Sequence, residues 1–302
     1  MKSLESNSLA DASYWGIDVG GTFAKVGCIT NGIFKMVATL PTGKNCRPEK
    51  LLQKISELIL QHKVEPSAVG LGTAGLVDRN EGGVIRFSPN LPLWNGINAG
   101  SILKDHLKIP VAVDNDCNVF AAGAINSGKI PSRGLWLFIT LGTGIGGTII
   151  HQGNIIYGTG YSGEFGHTTV KEGGIPCPCG SDGCWERYAG RKALEWYYSR
   201  LTGLTKSPKE IALMASHSET SALEAFREYG RWIGIGLANL ANCFSPMGFF
   251  IGGGLSATMQ YFEASAKQEY SRRCKHQWNT AVLENSSTAG AFGAASMAAK
   301  LC

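Results

Sequence analysis

Four side chains with metal-binding chemistry fall in one short stretch, His167 followed by Cys177, Cys179 and Cys184 in the pattern H-x9-C-P-C-G-x2-G-C. One imidazole and three thiolates are the soft donors of a tetrahedral zinc site. Four protein ligands leave no open position, so the ion is expected to be structural. Such a site contributes on the order of 10 kcal/mol to local folding. Gly180 and Gly183 permit the sharp turns that a chelate needs. The alternative is a coincidental run of reduced cysteines. Flanking the loop are Glu164, in GEFGH, and Glu186, in GCWER. A loop pinned by metal can aim both carboxylates at one spot, and paired ionised acceptors suit vicinal hydroxyls of a sugar.

A second constellation, VAVDNDCNVFAAG, puts two acids and two asparagines where a strand runs into a helix, the position at which α/β proteins place reactive groups. Asp116 or Asn118 serves equally well as a helix cap, and spacing alone leaves that reading open. Third come glycine-threonine turns, Gly20-Gly21-Thr22 and Gly142-Thr143-Gly144. Their N–H groups and hydroxyls can surround phosphate oxygens with no side chain in the way. Each turn is a weak signal alone. A further glycine run, Gly252 to Gly254 after an apolar strand, would let a flat ligand pack against the backbone.

The elements that position these groups repeat. YWGIDVGGTFAKVGCI from Tyr14 and WLFITLGTGIGGTII from Trp136 each join an apolar β-branched run, a glycine-threonine turn and another apolar run. That is a hairpin, whereas a Rossmann or Walker loop passes from its glycines into a helix. Two similar α/β lobes are therefore expected: a small one over 14–125, and a large one over 126–288 that carries the zinc loop. The turn-rich GAINSGKIPSRG at 123–134 separates them. A helix at 48–61 and strands at 69–72 and 111–114 belong to the small lobe. In the large lobe, helices are expected at 191–201, 221–244 and 259–273, with a strand at 249–252. The small-residue helix in 289–302 is expected to return to the small lobe. Residues 1–13 read as a loose polar tail.

The chain of 302 residues is long enough for two domains, and 44% hydrophobic with 17% charged residues describes a globular protein. Forty glycines are about twice the usual share of about 7%. The net charge of +5 is spread out, and its densest stretch, Arg272, Arg273, Lys275 and His276, is too small for a nucleic-acid surface. Residues 1–13 lack the apolar core of a secretory signal, and the uncharged run 134–150 suits strand, turn and strand better than a membrane span. A cytoplasmic protein without nucleic-acid or membrane partners is expected. Nine cysteines, three of them in the zinc loop and six scattered, disfavour a disulfide framework.

IDVGGT, PNLPLWNG, DNDCN, LGTGIGGT, GEFGH, CPCGSDGCWE and IGGGLS, in this order, resemble the ROK family of sugar kinases and sugar-responsive repressors. The resemblance runs from Tyr14 to Ala299. It implies the two-lobed actin/hexokinase-like (ribonuclease H-like) α/β fold, with ATP and sugar bound in the interdomain cleft. Gly20, Gly21, Thr22, Gly142, Thr143 and Gly144 would hold the ATP phosphates, Gly252, Gly253 and Gly254 would border adenosine, and Asp18 would lie near magnesium. Asp116 would be the catalytic base. Asn90, Asn115, Asp116, Glu164, His167 and Glu186 match the family's sugar contacts, with His167 serving zinc and sugar through its two ring nitrogens. A homodimer or dimer of dimers is also implied.

The expected activity is transfer of the ATP γ-phosphate to the 6-hydroxyl of a hexose. GCWERYAGRKAL favours glucose over N-acetylglucosamine or N-acetylmannosamine, and polyphosphate remains open as a donor. Two departures stand out: Thr73-Ala74-Gly75 where valine-proline-glycine is common, and Ser245 where an aspartate often follows the long helix. A repressor of the same family is disfavoured, because thirteen residues before the first strand are too few for a helix-turn-helix.

Overall fold

The computed structural model describes residues 12–88, 90–284 and 287–302, so most of the expected tail, residues 1–11, lies outside the described residues. Two compact units emerge. One comprises Met1–Ile130, Tyr157–Tyr161 and Ser286–Cys302, and the other Pro131–Ile156 and Ser162–Asn285.

The first unit runs through β1 (Ser13–Val19), β2 (Phe23–Thr30), β3 (Ile33–Pro41), α1 (Pro48–Leu60), β4 (Pro66–Thr73), β5 (Leu76–Asp78), β6 (Val84–Phe87), α2 (Ala99–Leu107), β7 (Val111–Asn115) and α3 (Asp116–Asn126). The second contains β8 (Leu135–Leu141), β9 (Ile145–His151), β10 (Asn154–Ile156), α4 (Glu186–Ala189), α5 (Arg191–Thr202), α6 (Pro208–Ser216), α7 (Thr220–Phe244), β11 (Gly248–Gly252), α8 (Met259–Arg273) and β12 (Thr280–Val282). Then α9 (Ala289–Ala298) belongs again to the first unit.

Both units share one plan. The first sheet is ordered β3-β2-β1-β4-β7 and the second β10-β9-β8-β11-β12. In each, the opening hairpin is antiparallel and the next two strands add in parallel on the other side. The two sequence hairpins are thus the starts of two copies of the same sheet. Short strands and helices absent from the sequence reading, including β3, α2 and α6, complete the edges and outer layers.

Strand alternation divides the first sheet by size of side chain. Trp15, Ile17, Val19, Val69 and Leu71 are fully buried and join the core formed with Leu51, Leu52, Ile55 and Ile59 of α1. On the opposite face are Gly16, Gly70 and Gly72. A Cβ at Gly16 would collide with the Ala291 carbonyl of α9, one at Gly70 with the Ala294 carbonyl, and one at Gly72 with Val119 of α3. The small residues of α9 thus let a helix lie directly on the backbone of β1 and β4. Asp18 shares this face, where only the glycine at 290 leaves room for its carboxylate.

In the second unit, the long helix α7 buries Phe226, Tyr229, Leu237 and Ala238 in one large core. Its Gly236 makes space for the indole of Trp185, whose Nε1 donates to the Trp232 carbonyl at 2.8 Å. This anchors the cysteine loop to the core. Ser245 ends α7 in the left-handed region, with φ 45°, and its N–H donates to the Ala241 carbonyl. Among the described residues, no helix is long and apolar enough to cross a membrane.

Candidate active site

At the end of parallel strand β7 the backbone turns directly into α3. Asn115 caps that helix, its Oδ1 accepting from the Asn118 N–H at 2.8 Å. The cap is therefore neither of the two residues that spacing left open, and Asp116 is the first residue of α3, exposed at its N-terminus. A helix N-terminus favours negative charge there. Asn118 instead turns its side-chain amide to buried Asp114, donating to Oδ1 at 2.9 Å, and Asp114 Oδ1 also accepts from the Asn115 N–H at 2.8 Å. Asp114 is missing from the sequence-based site. Its signal there is an acid inside a strand, four residues ahead of an amide.

The first glycine-threonine turn is held from outside. Gly20 N–H donates to the Phe23 carbonyl at 2.9 Å, the Thr42 hydroxyl to the Gly20 carbonyl at 2.7 Å, and the Thr42 N–H to the Thr22 carbonyl at 2.9 Å. Gly21 and Thr22 are exposed. Asn90 lies beside this turn, its Cβ 3.1 Å from where a Cβ on Gly21 would stand. Burial raises the Asp18 carboxyl above its ordinary range, with the Lys25 ammonium pulling partly the other way.

In the second unit the corresponding turn, Gly142-Thr143-Gly144, closes with a 3.0 Å bond from the Gly142 N–H to the Gly144 carbonyl. The N-terminus of α5 meets it, Arg191 N–H donating to the Gly142 carbonyl at 2.9 Å. A Cβ on Gly142 or on Gly254 would meet nothing within 4 Å, and neither residue has a positive φ. The chain itself therefore gives no reason for glycine at these two places. Gly253 differs: its φ is 87° and a Cβ would strike the Leu141 backbone, so it serves strand packing.

The donor atoms of His167, Cys177, Cys179 and Cys184 all lie within 4.8 Å of one another. Cys177 Sγ faces His167 Nδ1 at 3.7 Å, and Cys179 Sγ faces Cys184 Sγ at 3.6 Å. The loop is turned by the Gly180 N–H donating to the Cys177 carbonyl and the Cys177 N–H donating to the Ser181 carbonyl. Gly183 is required, since its φ is 65° and a Cβ would collide with the Lys171 carbonyl. Burial pushes the Cys177 thiol up to about 12 and raises Cys184, whereas the Ser181 N–H lowers Cys179. Four convergent N and S donors fit a divalent zinc ion, whose charge offsets the cost of buried thiolates.

The other imidazole nitrogen, Nε2, stands 3.9 Å from Glu164 Oε2. Glu186 Oε1 is 3.6 Å from Cys177 Sγ. Burial raises Glu164, His167 opposes this, and the Glu186 charge adds to the rise. The loop thus brings Glu164, His167 and Glu186 together. Asp18, Gly20, Gly21, Thr22, Asn90, Asn115 and Asp116 belong to the first unit, and the remaining expected site residues to the second.

The family model described as "ROK family" matches residues 14–301. A glucokinase of Streptomyces coelicolor is 34% identical over 262 residues, 80% of this chain and 81% of that protein. A xylose repressor of Bacillus subtilis is 31% identical over 232 residues, 75% of this chain but 59% of the repressor. Among solved structures, a ROK family glucokinase from Streptomyces griseus in complex with glucose and AMPPNP is 30% identical, with a TM-score of 0.78, covering 95% of this chain and 99% of that one. The paired sheets are those of the actin/hexokinase-like fold. Matched along almost its whole length by the family's model, the chain belongs to the ROK family.

Proposed function

We propose that this protein is a hexokinase-type sugar kinase that transfers the γ-phosphoryl group of ATP to the 6-hydroxyl of a hexose, with glucose as the preferred acceptor and Asp116 as general base. The observation that carries the reading is Asp116 at the head of α3, at the carboxyl end of a parallel strand, with the capping done by Asn115. The glucokinase relatives, matched over four-fifths of both chains, support the substrate. The repressor relative is a longer protein, of which the match spans 59%.

In this reading the sugar oxygen attacks the γ-phosphorus, the bond from that phosphorus to the β,γ-bridging oxygen breaks, and ADP leaves. Asp116 accepts the hydroxyl proton. Phosphoryl transfer is mainly positioning and charge stabilisation, so an ordinary carboxylate suffices for this late proton transfer. Gly20, Gly21, Thr22, Gly142, Thr143 and Gly144 offer N–H groups and hydroxyls to the phosphates, and the unexplained glycines at 142 and 254 fit a nucleotide lying close to the backbone. Magnesium bound with ATP would neutralise phosphate charge, and Asp18 is the carboxylate proposed to lie near it. Asn90, Asn115, Glu164, His167 and Glu186 are the proposed sugar contacts. His167, Cys177, Cys179 and Cys184 would hold a structural zinc ion that fixes three of them.

The test is a coupled assay of the purified chain with ATP and with polyphosphate, across glucose, fructose, mannose, N-acetylglucosamine and N-acetylmannosamine. Glucose with ATP is expected to give the highest kcat/KM. Glucose ranking last removes the substrate assignment, and no turnover with any sugar removes the kinase.

A further inference from the structure

Asp114 lies two residues before Asp116, and its side chain is only 3% exposed. A buried carboxylate is costly unless its charge is balanced and its lone pairs are filled. Here both conditions hold. Oδ1 accepts from the Asn115 N–H and the Asn118 amide, and Oδ2 forms an ion pair with Arg79. The Tyr157 hydroxyl lies beside the same carboxylate, whose charge adds to burial in raising it above its ordinary range, and the Arg79 guanidinium lies 3.9 Å from the centre of the Tyr157 ring. Tyr157 thus stacks on the cation and stands beside the anion of one ion pair.

Tyr157 arrives from elsewhere in the chain. It follows β10, and Tyr157–Tyr161 packs with the first unit while the residues on either side belong to the second. Further bonds hold this segment: Asn80 Nδ2 donates to the Thr159 carbonyl at 3.1 Å, and the Tyr161 hydroxyl donates to Asp78 Oδ2 at 3.2 Å. Asp114 in turn grips the residue before Asp116 and the amide two residues after it. A side chain at the start of a helix takes its direction from the backbone at that junction.

We propose that Tyr157 and Arg79 are positioning residues for Asp116, acting through Asp114 to hold the β7–α3 junction in the one orientation that turnover needs. The proposal rests on the kinase reading above. Chemical steps lose rate steeply when a reacting group is displaced by about 1 Å, whereas substrate binding through other residues does not.

Tyr157→Phe keeps the ring on Arg79 and removes only the hydroxyl. It is expected to lower kcat about tenfold, leave KM for ATP within about twofold, and move the thermal midpoint by only a few degrees. In an Asp114→Asn background, Tyr157→Phe is expected to cause no further loss of kcat, because both changes act through one carboxylate. Arg79→Lys should retain more activity than Arg79→Met. A parental kcat for Tyr157→Phe, or a loss that matches the fraction unfolded, overturns the proposal. Asp116→Ala in the same assay separates the two levels. If it is inactive while Tyr157→Phe is normal, only the positioning role fails. An active Asp116→Ala, or a parent chain without hexose turnover, overturns both.

Discussion

Glu186 lies so close to Gly144 that a Cβ on the glycine would collide with its Oε2, while its Oε1 stands 3.6 Å from Cys177 Sγ. One carboxylate therefore spans the glycine-threonine turn and the cysteine loop. Gly144→Ala should push this flexible side chain aside at little cost to the fold. The expected result is a hexose KM raised about tenfold, a loss of about 1.4 kcal/mol of binding, with a near-parental thermal midpoint. Gly142→Ala, where a Cβ meets nothing in the chain, should instead raise KM for ATP. Steady-state kinetics with each substrate varied in turn reads both, and the opposite pairing would contradict the assignment of the turn.

Asp116→Ala should lower kcat by about 10²–10⁴-fold, the usual range for a lost general base. The fold should survive, because Asn115 and not Asp116 caps α3. By contrast, Asn115→Ala should lower the thermal midpoint, an N-cap contributing about 1 kcal/mol. Circular dichroism melts beside the kinetics distinguish the two.

Metal analysis of the purified protein should find one zinc ion per chain. Cys184→Ser should abolish it, since this sulfur is fully buried among the other donors. Chelation is expected to weaken hexose binding before the rest of the chain unfolds, because Trp185 stays anchored in the α7 core by packing and a hydrogen bond. Full sugar affinity in metal-free protein would remove zinc from the proposal.

At the start of α6, Glu210 and Ser207 form a capping box that holds the glutamate at about 2, against an ordinary value of 4.5, chiefly through the Ser207 N–H. A depressed carboxylate stabilises the fold above its unfolded value and ceases to do so as pH falls through the folded one. Glu210→Gln should therefore melt slightly below the parent at neutral pH, and the difference should close between pH 4.5 and about 2. The effect is small because the group is exposed to solvent. Midpoints measured across that window check the sign.

Much of the candidate site could be proposed from the sequence because its residues are local. The four convergent His and Cys donors, the two turns and the Asp-Asn-Asp-Cys-Asn stretch each lie within one short segment, and hairpin patterning marks the two sheets. Capping was not resolvable, since Asn115, Asp116 and Asn118 are all competent caps and only backbone geometry chooses Asn115. Arg79 and Tyr157 escape for a different reason. They meet at Asp114 from positions far apart in the chain, and neither sits in a motif of its own. Likewise Gly253 and Gly254 look alike as letters, yet one is demanded by the Leu141 backbone and the other by nothing in the chain.

The glycine face of the first sheet is covered by α9, which follows every other described element in the chain. A ribosome therefore releases β1 and β4 long before their partner exists, with Gly16 and Gly70 uncovered until residues 289–298 emerge. The second unit has all of its strands and helices by residue 285. It can consequently complete its core during synthesis before α9 emerges, while the first unit has to wait for that helix and is the one exposed to chaperones and proteases in the interval.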